Sequence, residues 1–304
     1  MESKLAKYRG RENFENDSSV SDFISLLKPR VMSLAVFTSV CGIILAPISM
    51  HPFFFFISIL CISVGAGASG AINMWYDKDI DSLMERTKKR AVPLGRIESL
   101  DALGFGIILS IISTILLGLS VNYVAALLLA FSIFFYVCIY TIWLKRRTPQ
   151  NIVIGGASGA FPPVIGWACS TGDITLFPTL LFFIIFFWTP PHFWALALYK
   201  DIEYSKANVP MLPVVKGQRE TKKQILIYSL VLFVISMLPF TLSFSGYFYL
   251  VSSFLLNLYF CYLSYLLFKS EDEKNSFYAP KLFKFSIIYL YLIFSSLVID
   301  SLIK

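Results

Sequence analysis

Long apolar runs separated by short charged segments make up most of the chain. About 20 apolar residues are enough to cross a bilayer as an α-helix, and nine such windows can be placed. We predict transmembrane helices over residues 31–50, 53–76, 100–120, 123–143, 151–170, 174–198, 225–243, 247–268 and 284–303. The pattern predicts an all-α polytopic membrane protein with a polar N-terminal tail at residues 1–24 and a single transmembrane domain at 25–304.

Composition and charge support this prediction and give the helices a direction. Hydrophobic residues make up 57% of the chain and charged residues only 15%, unlike an ordinary soluble domain. Alternate connecting segments hold 25 of the 26 Lys and Arg residues, and only Lys304 lies on the other side. Since cytoplasmic segments of membrane proteins are rich in Lys and Arg, we expect a cytoplasmic N-terminus, an external C-terminus and a location in the cell membrane. The net charge of +7 then indicates contact with anionic membrane lipid and not with nucleic acid.

An acidic cluster follows the second predicted helix. Asn73, Asp77 and Asp81 recur every four residues, a spacing that stacks side chains on one face of a helix. Oxygen ligands of this kind suit a hard cation such as Mg²⁺. The alternative, an acidic helix end in contact with water, does not explain why Asn73 lies one turn deeper in an apolar helix, where a polar group is costly. Asp79 lies on the opposite face and is not assigned to the stripe.

Positive charges fill the segment 86–90 that comes next. Carboxylates beside cationic side chains are what a metal-bound diphosphate needs, and the alternative is a set of headgroup contacts without a catalytic role. Arg86 and Arg90 share a face if this segment is helical. We therefore predict these two as diphosphate contacts, with Lys145 and Arg146 as weaker candidates at the end of the fourth predicted helix.

A second polar loop, residues 199–224, lies four predicted helices further along, so both loops should face one side of the membrane. Its Asp201 and Glu203 follow a helix end closely. If both loops line one cavity, their carboxylates can hold two Mg²⁺ ions that keep water ligands and bridge to phosphate oxygens. Such ions neutralise charge on a departing diphosphate, and Lys and Arg take up the remainder.

Other polar residues in the predicted spans are candidates for a binding pocket. His192 lies in a span interrupted by two prolines; it is a functional candidate because it can titrate, and the alternative is a hydrogen-bonded packing residue. We expect the prolines to open the helix. Asn151 can face the polar site, whereas Gly155 and Gly159 favour close helix packing. The five cysteines show no zinc-binding spacing and are interpreted as packing residues.

The motif N-x-x-x-D-x-x-x-D formed by Asn73, Asp77 and Asp81 resembles the first motif of UbiA-type intramembrane prenyltransferases. The resemblance covers roughly residues 25–300 and implies a nine-helix fold with two cytoplasmic aspartate-rich loops that bind Mg²⁺ and diphosphate. The residues that it marks as catalytic or metal-binding are Asn73, Asp77, Asp81, Asp201, Glu203 and Tyr204.

The second motif departs from the usual family pattern. Members usually have an aspartate directly before the tyrosine, whereas here Glu203 precedes Tyr204 and Asp201 stands two places earlier. The sequence leaves open which of these two carboxylates binds the second metal.

Three further stretches resemble the branch of this family that farnesylates heme. They are TPQNIVIGG at 148–156 with FPPVIGW at 161–167, WTPPHFWAL at 188–196 and VPMLPVVKG at 209–217. The resemblance implies that the farnesyl group of farnesyl diphosphate is joined to a vinyl group of heme B, that water adds, and that diphosphate leaves. His192 would ligate heme iron or handle a proton, and a heme A synthase or terminal oxidase assembly would be the downstream partner. The residues then predicted to bind substrate are Arg86, Arg90, Lys145, Asn151, His192 and Asp201.

Two alternatives stay open at this point. A prenyltransferase acting on a quinone-precursor ring would share the metal site and differ in its acceptor pocket. A transporter would use the buried acids and His192 as an ion pathway and the interrupted helix as a gate, although acids gathered at helix ends on one side speak against it.

Overall fold

Long helices run side by side through the molecule, as the apolar windows predict. The computed structural model describes residues 18–303, and all regular elements in that part are helical. The helices are α1 Val20–Leu26, α2 Pro29–Ile44, α3 Pro52–Tyr76, α4 Lys78–Leu83, α5 Ser99–Ser120, α6 Tyr123–Phe134, a π-helix Phe135–Leu144, α7 Asn151–Thr171, α8 Leu176–Tyr199, α9 Asp201–Lys206, α10 Leu212–Thr241, α11 Tyr247–Lys269, a 3₁₀-helix Asp272–Lys274 and α12 Asn275–Ile303.

The number of spans agrees with the sequence prediction. Eight spans, one of them α6 continued by the π-helix, are long and apolar enough to cross a membrane, and α1 with α2, bent by 55°, gives a ninth within residues 18–303. The polytopic all-α membrane fold is thereby confirmed. The orientation of the termini stays a prediction.

Several predicted boundaries were wrong. The span expected at 31–50 ends at Ile44, shortly before Pro47. A proline disfavours helical dihedrals at the residue before it, so the helix ends ahead of this position. Conversely, α10 begins at Leu212 and α12 at Asn275, well before their apolar windows, although α10 is kinked at Gly217, whose φ of 80° and ψ of 169° are not helical. Gln, Arg, Glu and Lys follow Gly217 in α10, and Lys281 lies near the start of α12. These residues are good helix formers in water but lower the mean hydropathy of a window.

Helix α1 lies partly inside the segment that was predicted to be a polar tail. Ser19 and Asp22 form a reciprocal capping box, in which the Asp22 amide donates to Ser19 Oγ and the Ser19 amide donates to the Asp22 carboxylate. This arrangement satisfies two backbone donors at the start of the helix. The rest of the predicted tail, residues 1–17, lies outside the described residues.

Lys28 makes the bend between α1 and α2. Its backbone is left-handed, with φ 53° and ψ 55°, a conformation that is strained for a residue with a side chain. Pro29 follows and disfavours the right-handed helical conformation at Lys28. The bend therefore has a local cause, and it determines where the Lys28 side chain points.

Helices α2 and α7 approach until their backbones touch. An added Cβ at Gly42 would lie 2.1 Å from the Pro163 carbonyl oxygen, and one at Gly166 would lie 2.1 Å from the Ser39 carbonyl oxygen. Gly155 is equally tight, since its added Cβ would lie 2.1 Å from the Tyr140 ring. The expectation of close packing holds for Gly155 but is wrong for Gly159.

The prolines of α8 do not open it, contrary to the sequence prediction. The helix continues without a break through Pro190 and Pro191, and α7, α10 and α12 pack around it. Neighbouring helices compensate for the backbone groups that prolines free inside a membrane bundle. Without a break at this point, the described structure lacks the gate that the transporter alternative needs.

We expect Gly166→Ala to lower the free energy of unfolding by about 1–3 kcal/mol, because the new methyl group overpacks a backbone contact. Gly159→Ala is the matched control on the same helix, since nothing lies within 4 Å of its added Cβ. Thermal unfolding of the detergent-solubilised variants measures the difference. Equal melting temperatures for the two variants would contradict the close α2/α7 contact.

Candidate active site

The stripe of Asn73, Asp77 and Asp81 is kept across the junction of α3 and α4. The Asp77 amide donates to the Asn73 carbonyl at 2.9 Å, and the Asp81 amide donates to the Asp77 carbonyl at 2.7 Å, so the helical spacing continues although the helix is interrupted. The three residues are 5%, 0% and 3% exposed. Asn73 Nδ2 also donates to Asp77 Oδ2 at 2.6 Å. The carboxylates of Asp77 and Asp81 are therefore buried, and they do not form an acidic helix end in contact with water.

Lys28, in the bend between α1 and α2, and Thr141, in the π-helix, both bind the Asn73 amide. Lys28 Nζ donates to Asn73 Oδ1 at 2.7 Å, and Asn73 Nδ2 donates to Thr141 Oγ1 at 3.1 Å. The sequence prediction missed Lys28 because a Lys before a membrane span is expected from charge bias alone. Its position directly before a proline was the available signal.

Lys145 reaches Asp77 from the π-helix. The Lys145 amide donates to the Tyr140 carbonyl five residues back, at 2.9 Å, the hydrogen-bond pattern of a π-helix, which often marks a functional region. Lys145 Nζ donates to Asp77 Oδ2. Asn151 is fully buried, and its Nδ2 donates to the Thr148 carbonyl at 2.7 Å. Asn151 thus steadies the turn that carries Lys145.

Asp79 pairs with Arg146, which also lies 3.6 Å from Asp77 Oδ1 of the stripe. Arg146 donates from both terminal nitrogens to Asp79 at 2.7 Å, donates to the Tyr76 carbonyl at 2.9 Å and covers the Tyr76 ring at 4.7 Å. These hydrogen bonds lower the pKa of Asp79 and raise the pKa of Arg146. The Asp79 side chain is 64% exposed, so this pair lies at the rim of the site.

Arg86 and Arg90 do not share a helical face, because the segment that carries them forms successive turns. Arg90 instead donates to Asp81 Oδ2 at 2.5 Å, and Thr87 Oγ1 donates to the Asp81 carbonyl at 3.0 Å. Arg86 is exposed and forms no ion pair among residues 18–303. The two arginines thus occupy different positions, one engaged and one available.

The two carboxylates of the second loop differ in their environment. Asp201 Oδ1 accepts from the Ile202 amide at 2.7 Å, and its Oδ2 accepts from Gln218 Nε2 at 3.0 Å. Glu203 Oε1 accepts from Lys200 at 2.6 Å, whereas its Oε2 is buried without a hydrogen-bond partner in the described part of the chain. Asp201 is thus engaged by its own loop, while Glu203 retains a free oxygen.

The two loops meet at one end of the bundle. Ile80 and Met84 of the first loop belong to the same hydrophobic cluster as the buried Tyr204 of the second. The side chains of Asp77, Arg86 and Tyr204 all lie within electrostatic range of the Tyr140 hydroxyl. The fold therefore brings both acidic loops to one polar region.

The site fits a divalent cation only together with other ligands. Within residues 18–303 no three His, Cys, Asp or Glu side chains lie close enough to hold a metal by themselves. Two carboxylate oxygens, Asp77 Oδ1 and Glu203 Oε2, are nevertheless buried without a hydrogen bond, and Arg146 lies 3.6 Å from the first of them. A buried carboxylate oxygen is costly unless a cation or a hydrogen-bond donor pairs with it, so both oxygens can accept a further ligand. Mg²⁺ typically takes one or two carboxylates and completes its shell with water and phosphate oxygens, which agrees with this donor set.

His192 lies apart from the acidic stripe, between α8 and α12. Its ring stacks on Trp188 and Phe283, with centroids 4.3 Å and 4.6 Å away. Its Nδ1 lies 2.6 Å from Ser286 Oγ, and the residue is 8% exposed.

Comparison with known proteins agrees with the fold and with the motif. The family model that matches residues 35–288 describes the UbiA prenyltransferase family. The chain belongs to the UbiA prenyltransferase family. A protoheme IX farnesyltransferase from Bartonella henselae is 51% identical over 298 residues, which cover 98% of this chain and 96% of the relative. This degree of identity confirms the predicted branch and the assignment of the chain as a prenyltransferase enzyme.

Solved UbiA-type structures share the fold at low sequence identity. A digeranylgeranylglyceryl phosphate synthase superposes with a TM-score of 0.77 at 18% identity and covers 94% of this chain and 99% of its own. A UbiA homologue from Archaeoglobus fulgidus, bound to DMAPP and Mg²⁺, gives 0.66 at 16% identity and covers 90% of this chain and 99% of its own. The helical architecture of the family is thus common to distant members.

Removing Lys145 should leave Asp77 as a buried charge without its nearest cation. We expect Lys145→Met to lower the free energy of unfolding by about 3–5 kcal/mol, and the double variant Lys145→Met with Asp77→Asn to regain most of that loss. Lys78→Met is the control, because Lys78 is an exposed neighbour without an ion pair among the described residues. Thermal unfolding in detergent measures all four proteins, and a Lys145→Met variant as stable as Lys78→Met would refute the pairing.

Proposed function

We propose that this protein transfers the farnesyl group of farnesyl diphosphate to a vinyl group of heme B, with addition of water, to give heme O and diphosphate. The observation that carries the proposal is the buried stripe, in which Asp77 keeps one oxygen free of hydrogen bonds beside Lys145 and Arg146. The name protoheme IX farnesyltransferase, which the relative in Bartonella henselae bears, supports heme as the acceptor over a quinone-precursor ring.

The reaction would take place at the cytoplasmic face of the cell membrane. Both acidic loops lie at the end of the bundle where Lys and Arg collect, and such charge marks the cytoplasmic side. Residues 25–304 would act as one transmembrane domain. The product would pass to a heme A synthase or to terminal oxidase assembly.

Mg²⁺ would be held by Asp77 and Asp81 in the first loop and by Glu203 in the second. Asn73 can contribute its amide oxygen once Lys28 releases it. Mg²⁺ bound there neutralises charge that builds on the departing diphosphate oxygens. We assign Asp201 a supporting role, because both of its oxygens are already engaged within its own loop and by Gln218.

The cationic side chains would hold the diphosphate by exchanging partners. Lys145, Arg90 and Lys200 each pair with a carboxylate of the site. If those carboxylates bound a divalent ion instead, the same cations would be free to donate hydrogen bonds to phosphate oxygens. The total charge of the site would then stay balanced. Lys28 and the unpaired Arg86 add two further donors.

Carbon–oxygen bond cleavage would then leave an allylic farnesyl cation close to the stripe. The vinyl π-electrons of heme attack this cation and form the new carbon–carbon bond. Water adds to the resulting benzylic-type cation and loses a proton, which completes the hydroxyethylfarnesyl group. The burial of the acids keeps bulk water away during the first step, when hydrolysis would compete. Tyr204, buried between the two loops, would help to shape this space.

The direct test is incubation of the purified protein with heme B, farnesyl diphosphate and Mg²⁺. Chromatography and mass spectrometry of the extracted hemes should show heme O only when Mg²⁺ is present. Prenylation of a hydroxybenzoate or naphthoate, with heme left unchanged, would retain the diphosphate site and overturn the acceptor.

Asp77→Asn should reduce the Mg²⁺-dependent rate by about 10²–10³-fold, the typical effect of losing one preorganised charge-stabilising group. Asp79→Asn is the control, since Asp79 is an exposed carboxylate on the same turn. Rates of heme O formation are compared at equal amounts of folded protein. A normal rate for Asp77→Asn would refute the metal assignment.

The pair Glu203→Gln and Asp201→Asn tests which carboxylate of the second loop binds metal. We expect Glu203→Gln to lose about a hundredfold in rate and to need more Mg²⁺ for half-maximal activity. Asp201→Asn should stay close to the wild-type rate at saturating Mg²⁺. The opposite order would reassign the ligand to Asp201.

A further inference from the structure

His192 is a titratable side chain held on several sides inside the bundle. Trp188 and Phe283 cover its two faces. Trp188 Nε1 also donates to the Ser286 carbonyl at 2.8 Å. Helices α8 and α12 thus lock both the position and the plane of the imidazole.

Ser286 determines which ring nitrogen carries the proton. Its hydroxyl oxygen lies 2.6 Å from the Phe283 carbonyl oxygen and 2.6 Å from His192 Nδ1. A serine hydroxyl has one hydrogen, and the Phe283 carbonyl can only accept. Both contacts are hydrogen bonds only if Ser286 donates to Phe283 and His192 donates from Nδ1 to Ser286. Any other arrangement places two acceptors in contact at 2.6 Å.

The Nε2 lone pair of His192 is consequently available. No hydrogen bond to Nε2 occurs among the described residues. Nε2 is also not among the side-chain polar atoms that are fully buried without a hydrogen-bond partner. The 8% of His192 that stays accessible therefore includes this nitrogen. A bare acceptor in an apolar span is costly unless a ligand occupies it.

We propose that Nε2 of His192 is an axial ligand of the heme iron, and that Ser286 is the positioning residue that holds the imidazole in the required tautomer. A hydrogen bond from the second ring nitrogen is the usual way in which a protein orients a metal-binding histidine. The inference rests on the proposed function, since it takes heme as the acceptor. It would place the iron against α8 and α12, so that the porphyrin edge with its vinyl groups can extend towards the acidic loops.

The test is a titration of the full-length, detergent-solubilised protein with ferric heme B, followed by absorbance and electron paramagnetic resonance. Wild-type protein should give the spectrum of imidazole-ligated heme. His192→Ala should lose it, and added imidazole should restore it. Ser286→Ala should raise the dissociation constant for heme by about tenfold, the effect expected from losing an outer hydrogen bond to a metal ligand.

Two matched variants distinguish a role of Ser286 in positioning the His192 imidazole from general destabilisation of the protein. Ser286→Thr keeps the hydroxyl and should retain the wild-type spectrum and affinity. Ser296→Ala removes another buried hydroxyl of α12, which donates to the Ile293 carbonyl at 2.8 Å, and should leave heme binding unchanged. Weakening by Ser296→Ala to the same extent as by Ser286→Ala would overturn the role of Ser286.

The outcomes also separate this inference from the proposed function. Heme O formation by wild-type protein, with a heme spectrum that His192→Ala does not change, refutes ligation by His192 and leaves the reaction intact. Failure of wild-type protein to bind or farnesylate heme refutes both. Loss of the imidazole-ligated spectrum in His192→Ala, with recovery on addition of imidazole, supports the inference.

Discussion

The polar site depends on one constraint, the need to pair a carboxylate that is shut away from water. Asp77 is fully buried at the end of an apolar helix, where an unpaired charge would be costly. Its partners come from distant parts of the chain: Lys145 from the π-helix and Arg146 from the turn after it, while Asn73 donates from one turn below. Meeting this requirement brings α3 and the π-helix together and places Lys145 and Arg146 beside the stripe.

The same ion pairs are consistent with the proposed reaction of a charged diphosphate at a membrane surface. Each carboxylate of the stripe is balanced by a nearby cation, so the site carries little excess charge. A metal-bound diphosphate offers an anion to the cations and a cation to the carboxylates, and binding therefore exchanges partners without exposing bare charge. Low local polarity makes these interactions stronger than they would be in water.

The structure separates the molecule into two functional regions that share α8. The end of α8 leads into the loop that carries Asp201 and Glu203, while its interior carries His192 beside α12. The prolines within α8 leave it continuous, because surrounding helices replace the support that the backbone loses. A continuous α8 connects the loop that we propose to bind metal with the imidazole of His192, which suits the proposed reaction between two large substrates.

The sequence by itself determined the class of fold, the number of spans and the acidic stripe, because hydropathy and four-residue spacing are local properties of the chain. It also marked Lys145 and Asn151 as candidates from their positions at cytoplasmic helix ends, and His192 because a polar group in an apolar segment is costly wherever it occurs. Only the tertiary structure brought Lys28 to Asn73 and Ser286 to His192, contacts between residues 45 and 94 positions apart. The proposed preference for Glu203 over Asp201 likewise rests on the contact of Asp201 with Gln218, 17 positions further along the chain. Such choices follow from how helices pack, and packing is decided by side chains that meet only in the folded protein.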